Sequence, residues 1–556
     1  MRYLLSSLLL LLLWQPTPLA AQRNHNFETA KHLDIFNALY KELDLYYVDT
    51  LDTEKTVGNA IAAMLDQLDP YTEYYKEEST DELRTLTTGK YAGIGSPIVY
   101  RKSCDRCVFD GPYAAMPAAK AGVRTGDIII AIDDTPIAPC GKTPVMDYTS
   151  GITQQLRGDA GTTLRLRVER PTVGEMEFTI ERQAIKRPSV LHHQMLNDST
   201  GYILLDGYTE DTSRDLKDAI VALRHQGMRR FVFDLRSNPG GLMDQAIKVV
   251  SNFIPKGSEV LHTAGKTPDM NKTYCTETEP IDTTMPMAVL VDYGTASAAE
   301  ITSGALQDYD RAVIIGRRTY GKGLVQAPRP LPYGAMLKLT TAKYFIPSGR
   351  CIQAYDFAHR GSDGQPKHLP DSLCKTFHTA AGRPVRDGGG ITPDVTVHLD
   401  TLPSLVAYLQ VSDQLFDWCV RYRNTHATIA SPADFHLSEA DFCDFRDYLA
   451  ASDFTYDVRS RHVLDMLRSV IREEGYGDEA KAELDALAQK LQHDTAADVM
   501  RFRKEVTEAV EAALISNYYG EEGLVAYTLR SDPDITEALR ILTDDGAYTD
   551  KLSPKP

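Results

Sequence analysis

Residues 287–326, MAVLVDYGTASAAEITSGALQDYDRAVIIGRRTYGKGLVQ, read as a strand, a turn, a helix, a second strand and a second turn. Residues 287–292 are a short apolar run of the kind buried strands show, and Tyr293-Gly294-Thr295 interrupts it. Residues 298–308 carry apolar side chains at Ile301, Ala305 and Leu306, a helical rhythm. Ser297 therefore stands where the chain leaves a strand and its turn and enters a helix. A serine there can be an N-cap, its oxygen accepting an orphan helix N–H. The other reading is a nucleophile, because the same free N–H groups and the positive helix end can stabilise an oxyanion beside it.

The second turn bears on that choice. Residues 312–316 read as a strand, and the loop after it carries Lys322 between Gly321 and Gly323. Such a lysine is a solvated charge or, if the two strands are neighbours as consecutive units of an α/β sheet mostly are, an ammonium returning over Ser297. A Ser–Lys dyad is an attested variant of the serine hydrolase constellation. The lysine must be neutral to take the serine proton, so its pKa has to fall from ~10.4 toward ~7–8 through desolvation and neighbouring positive charge. That fall corresponds to about 4 kcal/mol of destabilised ammonium, which only a water-poor pocket sustains. Gln326 has a side-chain carbonyl with which to orient the lysine. From the residues alone, cap and dyad both stand.

The stretch resembles the carboxyl-terminal processing peptidases, also called tail-specific proteases, whose T-A-S-A-x-E-I nucleophile segment is followed by a G-K-G-x-x-Q segment. Thr295-Ala296-Ser297-Ala298-Ala299-Glu300-Ile301 and Gly321-Lys322-Gly323-Leu324-Val325-Gln326 match in residue type and separation. The resemblance implies Ser297 as nucleophile, Lys322 as general base and Gln326 as the residue that positions the lysine. Ala299 departs from it, since many relatives carry a second serine there, but that position is not the family's nucleophile.

Upstream, Tyr202 to Leu205 reads as a strand, Leu216, Ile220 and Leu223 share a helix face that Gly227 ends, and Phe231 to Leu235 reads as the next strand. It runs into Asp234-Leu235-Arg236-Ser237-Asn238-Pro239-Gly240-Gly241. Glycines after a strand usually mean a tight turn. The resemblance places the family's D-L-R-x-N-P-G-G turn opposite the serine and implies an oxyanion hole of the amides of Gly240 and Ala298, with Gly241 as the alternative glycine.

Residues 91–183 form a β-rich unit resembling a PDZ domain, through Gly93-Ile94-Gly95-Ser96-Pro97-Ile98 and an A-x-x-A-G-V-x-x-G-D-x-I run at residues 118–129. By that resemblance Gly93, Ile94, Gly95 and Ser96 present backbone amides to a peptide's terminal carboxylate while the peptide adds as a strand to the sheet edge. Residues 103–113 read as a longer loop than the simplest PDZ domains have. Arg157, in Leu156-Arg157-Gly158, matches an arginine that in relatives couples PDZ position to the active site; an exposed structural arginine is the other reading.

At the N-terminus, Arg2, an apolar run at residues 4–14 and Leu19-Ala20-Ala21 make a secretory signal peptide, too short to be a membrane span. Residues 27–69 read as two amphipathic helices, with Leu33, Phe36, Leu39 and Leu43 on one stripe and Val57, Ile61, Met64 and Leu68 on the other. The family uses this region for self-association, and Leu68-Asp69-Pro70-Tyr71-Thr72 resembles its L-D-P-x-S boundary with threonine for serine. The 8 cysteines are irregularly spaced; Cys104 and Cys107 make a C-x-x-C with no second pair at zinc-finger distance, which reads as a local disulfide or free thiols. The formal charge of −17 argues against a nucleic-acid partner. Past Asp400, alternating charges and helical stripes carry no chemical motif, and the resemblance thins into what reads as a helical appendage for assembly or gating.

The expectation is a multidomain α+β protein. Residues 1–21 form a signal peptide, 22–84 a helical region, 85–184 a PDZ-like domain, 185–400 a crotonase-like α/β catalytic core, and 401–556 a helical domain. The implied activity is that of a periplasmic serine endopeptidase, soluble or peripheral to the membrane, acting on proteins or peptides with a free C-terminus. It needs no metal or organic cofactor, and it leaves room for a homo-oligomer and a regulatory adaptor. Two readings compete with it. An inert peptide-holding scaffold has no need of Ser297, Lys322 and Gln326 together. A Ser–His–Asp hydrolase needs one of the 14 histidines near Ser297, and no motif places one there.

Overall fold

A computed structural model describes residues 18–77, 90–114, 116–186, 188–456, 459–491 and 494–554. The apolar run expected to open a signal peptide lies outside them. The described residues form two compact units, one of residues 18–77 with 326–340 and the other of those between 90 and 325 with those from 341 to 554.

In the first unit, helices Pro18–Tyr46 and Thr53–Asp66 match the two stripes read from the sequence. Asp52 caps the second by accepting the Lys55 amide at 3.0 Å. Leu33, Phe36, Leu39 and Leu43 of the first are exposed. The Asp69-Pro70 boundary is an Asx turn: Asp69 Oδ1 accepts the amides of Tyr71 and Thr72, both at 2.9 Å, and the Thr72 hydroxyl donates to Oδ2 at 3.0 Å. Threonine thus supplies the hydroxyl that serine has in the family's boundary. The strand Glu73–Tyr75 then pairs antiparallel with residues 336–338.

The second unit holds three packed bodies. In the first, antiparallel strands Ile98–Arg101, Arg106–Phe109, Ile128–Ile132, Thr163–Arg170 and Gly174–Glu181 stand in that order. Leu164, Leu166 and Val168 alternate inward onto the core, as a half-buried strand requires. The supposed long loop contains the Arg106–Phe109 strand, whose Cys107, Val108 and Phe109 are all buried. A continuous apolar run this short shows no alternation to mark it as a strand.

The second body is a six-stranded sheet of Val190–Met195, Thr200–Leu205, Arg230–Asp234, Met287–Val291, Val313–Gly316 and Val395–Thr396 in spatial order, the first pairing antiparallel and the rest parallel. Every residue of Met287–Val291 is buried, as in a strand covered on both faces. Helices Thr212–His225, Met243–Val250 and Ala298–Asp308 cover one face, where Leu216, Val250 and Leu306 share a core with Phe231 and Val289.

The helix Pro533–Thr543 covers the other face, setting Ile535, Ala538, Ile541 and Leu542 against Val232, Leu290 and Ile315. Burying each large aliphatic side chain stabilises by about 1.5–3 kcal/mol, so residues far along the chain are integral to this sheet.

The third body packs helices from Ser404–Gln410 to Arg503–Thr528 around Trp418, Phe442, Phe445 and Val510. It meets the PDZ-like body along a fitted seam. Asp413 accepts Arg101 Nη1 at 3.3 Å and the Ser103 amide at 3.0 Å, and Asn424 Nδ2 donates to the Pro171 carbonyl at 2.9 Å. A Cβ on Gly126 would meet Val420 Cγ2 at 2.4 Å.

Candidate active site

The turn after Met287–Val291 is built by Asp292. Its Oδ1 accepts the amides of Ser237 at 2.8 Å, Gly294 at 2.9 Å and Thr295 at 3.1 Å, while buried Thr295 donates its hydroxyl to the Leu235 carbonyl at 2.7 Å. The serine turn is thereby stitched to the glycine turn of the adjacent strand. Ser297 follows at φ 53° and ψ −116°, a left-handed conformation uncommon for a side-chain-bearing residue. Such backbone strain costs on the order of 1–3 kcal/mol and persists only where the surroundings over-determine it.

Glu300 is part of what over-determines it. Fully buried, its Oε2 accepts the Ser297 and Lys322 amides, each at 2.9 Å, and its Oε1 accepts the Gly321 amide at 2.7 Å and the Thr319 hydroxyl at 2.5 Å. Burial pushes its pKa up, against the pull of hydrogen bonds from Thr319, Lys322, Gly321 and Ser297. Tyr344 adds a second tie, its hydroxyl donating to the carbonyls of Lys322 at 2.9 Å and Ser297 at 3.3 Å. Burial, then the nearby Glu300 charge, holds that phenol well above its ordinary pKa, so it stays a donor. Neither residue was given a role from the sequence. The Ser297-x-x-Glu300 spacing is that of a capping box and carried the signal.

Lys322 is half-buried, and its glycine neighbours are there for want of space. A Cβ on Gly321, at φ +87°, would meet Ala354 Cβ at 2.4 Å, and one on Gly323 would meet the Gln353 amide nitrogen at 2.8 Å. The Asp387–Asp394 stretch closes over this loop, with the Ile391 amide donating to Thr319 Oγ1 at 2.6 Å and the Thr319 amide to the Ile391 carbonyl at 3.1 Å.

The glycine turn touches the serine directly. A Cβ on Gly240, at φ +96°, would lie 2.7 Å from the Ala296 carbonyl oxygen, 2.8 Å from the Ala298 amide and 2.9 Å from Ser297 Cβ. Asn238 fixes the approach: its carbonyl accepts the Ala296 amide and its Oδ1 accepts the Gly240 amide, both at 2.9 Å. The expected Gly240 donor is therefore engaged in this conformation. Among the described residues, the amides of Ala298 and Gly241 have no acceptor.

The remaining candidates stand elsewhere. Gln326 belongs to the other unit, where its Nε2 donates to Thr340 Oγ1 at 3.1 Å, and that hydroxyl donates to Asp69 Oδ1 at 3.1 Å. Gly93, Ile94 and Gly95 are buried and Ser96 is partly exposed; the Ile94 carbonyl accepts the Ala118 amide at 2.9 Å and the Gly95 carbonyl the Tyr113 amide at 3.1 Å. A groove of about 920 Å³ runs between Ile98–Arg101 and the helix Val145–Leu156; Arg157 is among the residues lining it, and none of Gly93–Ser96 is. All 8 cysteines are unpaired. Among the described residues no histidine ring hydrogen-bonds to Ser297, and no group of three His, Cys, Asp or Glu is placed to hold a metal ion.

The sequence matches Peptidase family S41 over residues 199–359, a PDZ domain over 108–170, and the C-terminal helical domain of a probable PDZ-protease over 405–542. It is 36% identical over 335 residues to the carboxy-terminal-processing protease of Bartonella bacilliformis, spanning 59% of this chain and 74% of that one. It is 33% identical over 332 residues to a probable CtpA-like serine protease of Staphylococcus aureus, spanning 58% and 62%. Among solved structures, a photosystem II D1 C-terminal processing protease aligns at 25% identity with a TM-score of 0.36, over 66% of this chain and 87% of that one.

Proposed function

This chain belongs to peptidase family S41, and on that premise we propose that it is an exported serine endopeptidase that holds the free C-terminal tail of a protein substrate in its PDZ domain and cleaves with Ser297 and Lys322. The observation that carries the dyad is the common anchoring of the two residues: one buried carboxylate takes both amides, and one buried phenol donates to both carbonyls.

In this reading Lys322 Nζ, as the neutral amine, takes the Ser297 hydroxyl proton while Oγ attacks the scissile carbonyl carbon. The carbonyl π pair moves onto oxygen, and backbone amides donate to the oxyanion. Ala298 N–H is open for that task at the helix start, where the helix dipole also favours negative charge. Gly240 N–H joins it once Asn238 Oδ1 yields or shares the hydrogen bond. Collapse breaks the C–N bond, the lysine ammonium gives its proton to the leaving amine, and an ester on Ser297 remains. Water then attacks that ester as Lys322 takes one of its protons. The second collapse releases the new C-terminus, and Lys322 reprotonates Ser297. Lys322 carries every proton, so the reading calls for no metal or organic cofactor. Gln326 as the residue that positions the lysine is carried from the family's motif.

The groove along Ile98–Arg101 supports tail capture, and Arg157 lining it supports a role in reporting occupancy. Export to the periplasm rests on the leader read from residues 1–21. No helix among the described residues is long and apolar enough to cross a membrane. The exposed stripe of the Pro18–Tyr46 helix fits self-association or a regulatory adaptor.

The test compares the mature protein with Ser297→Ala and Lys322→Ala on an unfolded substrate bearing a free tail. Wild type cleaves and neither variant does. Cleavage that survives Lys322→Ala removes the dyad. N-terminal sequencing of the secreted protein should begin at Gln22.

A further inference from the structure

Two arginines sit just past the strands that flank the central strand of the sheet. Arg236 follows Arg230–Asp234 and opens the glycine turn; Arg317 follows Val313–Gly316 and opens the lysine loop. Met287–Val291, whose turn carries Ser297, lies between those two strands. Both guanidinium groups converge on one carboxylate from the far end of the chain. Asp534 Oδ2 accepts Arg236 Nη1 at 2.9 Å, and both its oxygens lie 2.8 Å from Arg317 Nη1.

Around that bridge the charges are arranged in depth. Asp532 Oδ2 stands 2.7 Å from Arg236 Nη1, and its Oδ1 caps the Pro533–Thr543 helix by accepting the Asp534 and Ile535 amides at 2.8 and 3.2 Å. On the other edge of Arg236, Asp234 accepts Nε at 3.0 Å and Nη2 at 2.6 Å, and Tyr202 donates its hydroxyl to Asp234 Oδ2 at 2.8 Å. Asp534 is 1% exposed. Its helix is fixed from behind by Ile535, Ala538 and Ile541 on the sheet. Charge-assisted bonds between fixed partners hold geometry well, and removing one partner leaves a buried charge uncompensated.

We propose that Asp534 is a positioning residue of the peptidase: from the C-terminal helix it holds the glycine turn through Arg236 and the lysine loop through Arg317, so that the oxyanion amides and Lys322 keep their places on either side of Ser297. The reach is short on both arms. Arg236 is followed by Ser237, whose amide is on Asp292, and by Asn238, which holds Gly240. Arg317 donates its own amide to the Val291 carbonyl at 3.0 Å, and the chain continues to Thr319 and Gly321, both on Glu300.

The proposal rests on the Ser297–Lys322 reading and is tested in the full chain with Asp534→Asn, Asp534→Glu and Arg317→Gln. The readouts are kcat and KM for a tailed peptide, the pH profile of kcat, the rate of Ser297 labelling by a fluorophosphonate, and Tm. Asp534→Asn is expected to lower kcat and labelling ten-fold or more with KM within two-fold, and to move the limb of the pH profile that reports Lys322. Asp534→Glu recovers part of kcat. Arg317→Gln, which removes one partly exposed arm and keeps the carboxylate, lowers kcat at unchanged fold. Asp545→Asn, on the next helix and 3.8 Å from Arg230, leaves kcat unchanged. A lower Tm with kcat, labelling and pH profile unmoved in both Asp534→Asn and Arg317→Gln overturns the proposal and leaves a structural tie. Lys322→Ala measured alongside keeps the two questions apart, because its retention of activity removes the dyad whatever Asp534 does.

Discussion

Ser297 and Lys322 donate their backbone amides to the same atom, Oε2 of Glu300, each at 2.9 Å. A shared acceptor makes the separation of two loops a property of one rigid carboxylate. The side chain that sets this distance touches neither end of the reaction.

Glu300→Gln should therefore be far more damaging than its isosteric shape suggests. A carboxamide offers one acceptor oxygen, so either orientation turns an N–H₂ toward two existing donors. Each buried group left unpaired costs about 1–3 kcal/mol. We expect hydrolysis to fall by roughly two orders of magnitude with far-UV circular dichroism unchanged, measured on the mature protein.

Gly240→Ala puts a methyl group where the Ala296 oxygen and Ala298 nitrogen already stand, at a φ that L side chains resist. Loss of an oxyanion donor alone lowers kcat about 10²–10³-fold. The expected result is at least that loss, together with slowed fluorophosphonate labelling of Ser297. Alanine tolerated at normal rates would mean that the turn does not serve the oxyanion.

Amidating the C-terminus of a peptide substrate removes the charge that the Gly93–Ser96 loop is expected to meet. KM should rise on the order of ten-fold, equivalent to about 1.4 kcal/mol, with kcat within two-fold. Equal kinetics for acid and amide would count against PDZ-dependent capture.

Asp282 offers a pH test independent of catalysis. Its side chain accepts the amides of Met285 and Thr284, both at 2.7 Å, and pairs with Arg224. Burial opposes its ionisation, but the Met285 and Thr284 hydrogen bonds and then Arg224 outweigh that and hold its pKa below the usual carboxylate value. A depressed folded pKa contributes stability that is present above the unfolded value, near ~4, and lost as pH falls through the folded one. Asp282→Asn should cost about 1–2 kcal/mol at pH 7 by urea denaturation. The gap should close in acid below the folded pKa; a gap that persists there would contradict this origin.

The strand–turn–helix of residues 287–308 was legible because its signals are local: an apolar run, a glycine break, then helical spacing up to Leu306. The Gly321-Lys322-Gly323 loop was visible as a loop, but the residues alone left its lysine open between a solvated charge and a base, and only the family's motif singled it out. Asp534 was not legible. It lies in a helix with ordinary amphipathic spacing, and nothing periodic in a sequence ties an aspartate to arginines some hundreds of residues earlier. The grip of Asn238 on the Gly240 amide was hidden for a related reason, because a motif names residues without saying which donor is already engaged.

The seam between the PDZ domain and the helical body has a mechanical meaning. With Val420 filling the space beside Gly126, Arg101 resting on the Phe416 ring at 3.8 Å, and Asp413 gripping the Arg101–Ser103 turn, the PDZ domain is pinned to the helical body. A free swing of that domain is ruled out while those contacts hold. Any gating stroke must either shear them, which ionic strength would ease, or drag along the helices whose continuation carries Asp534.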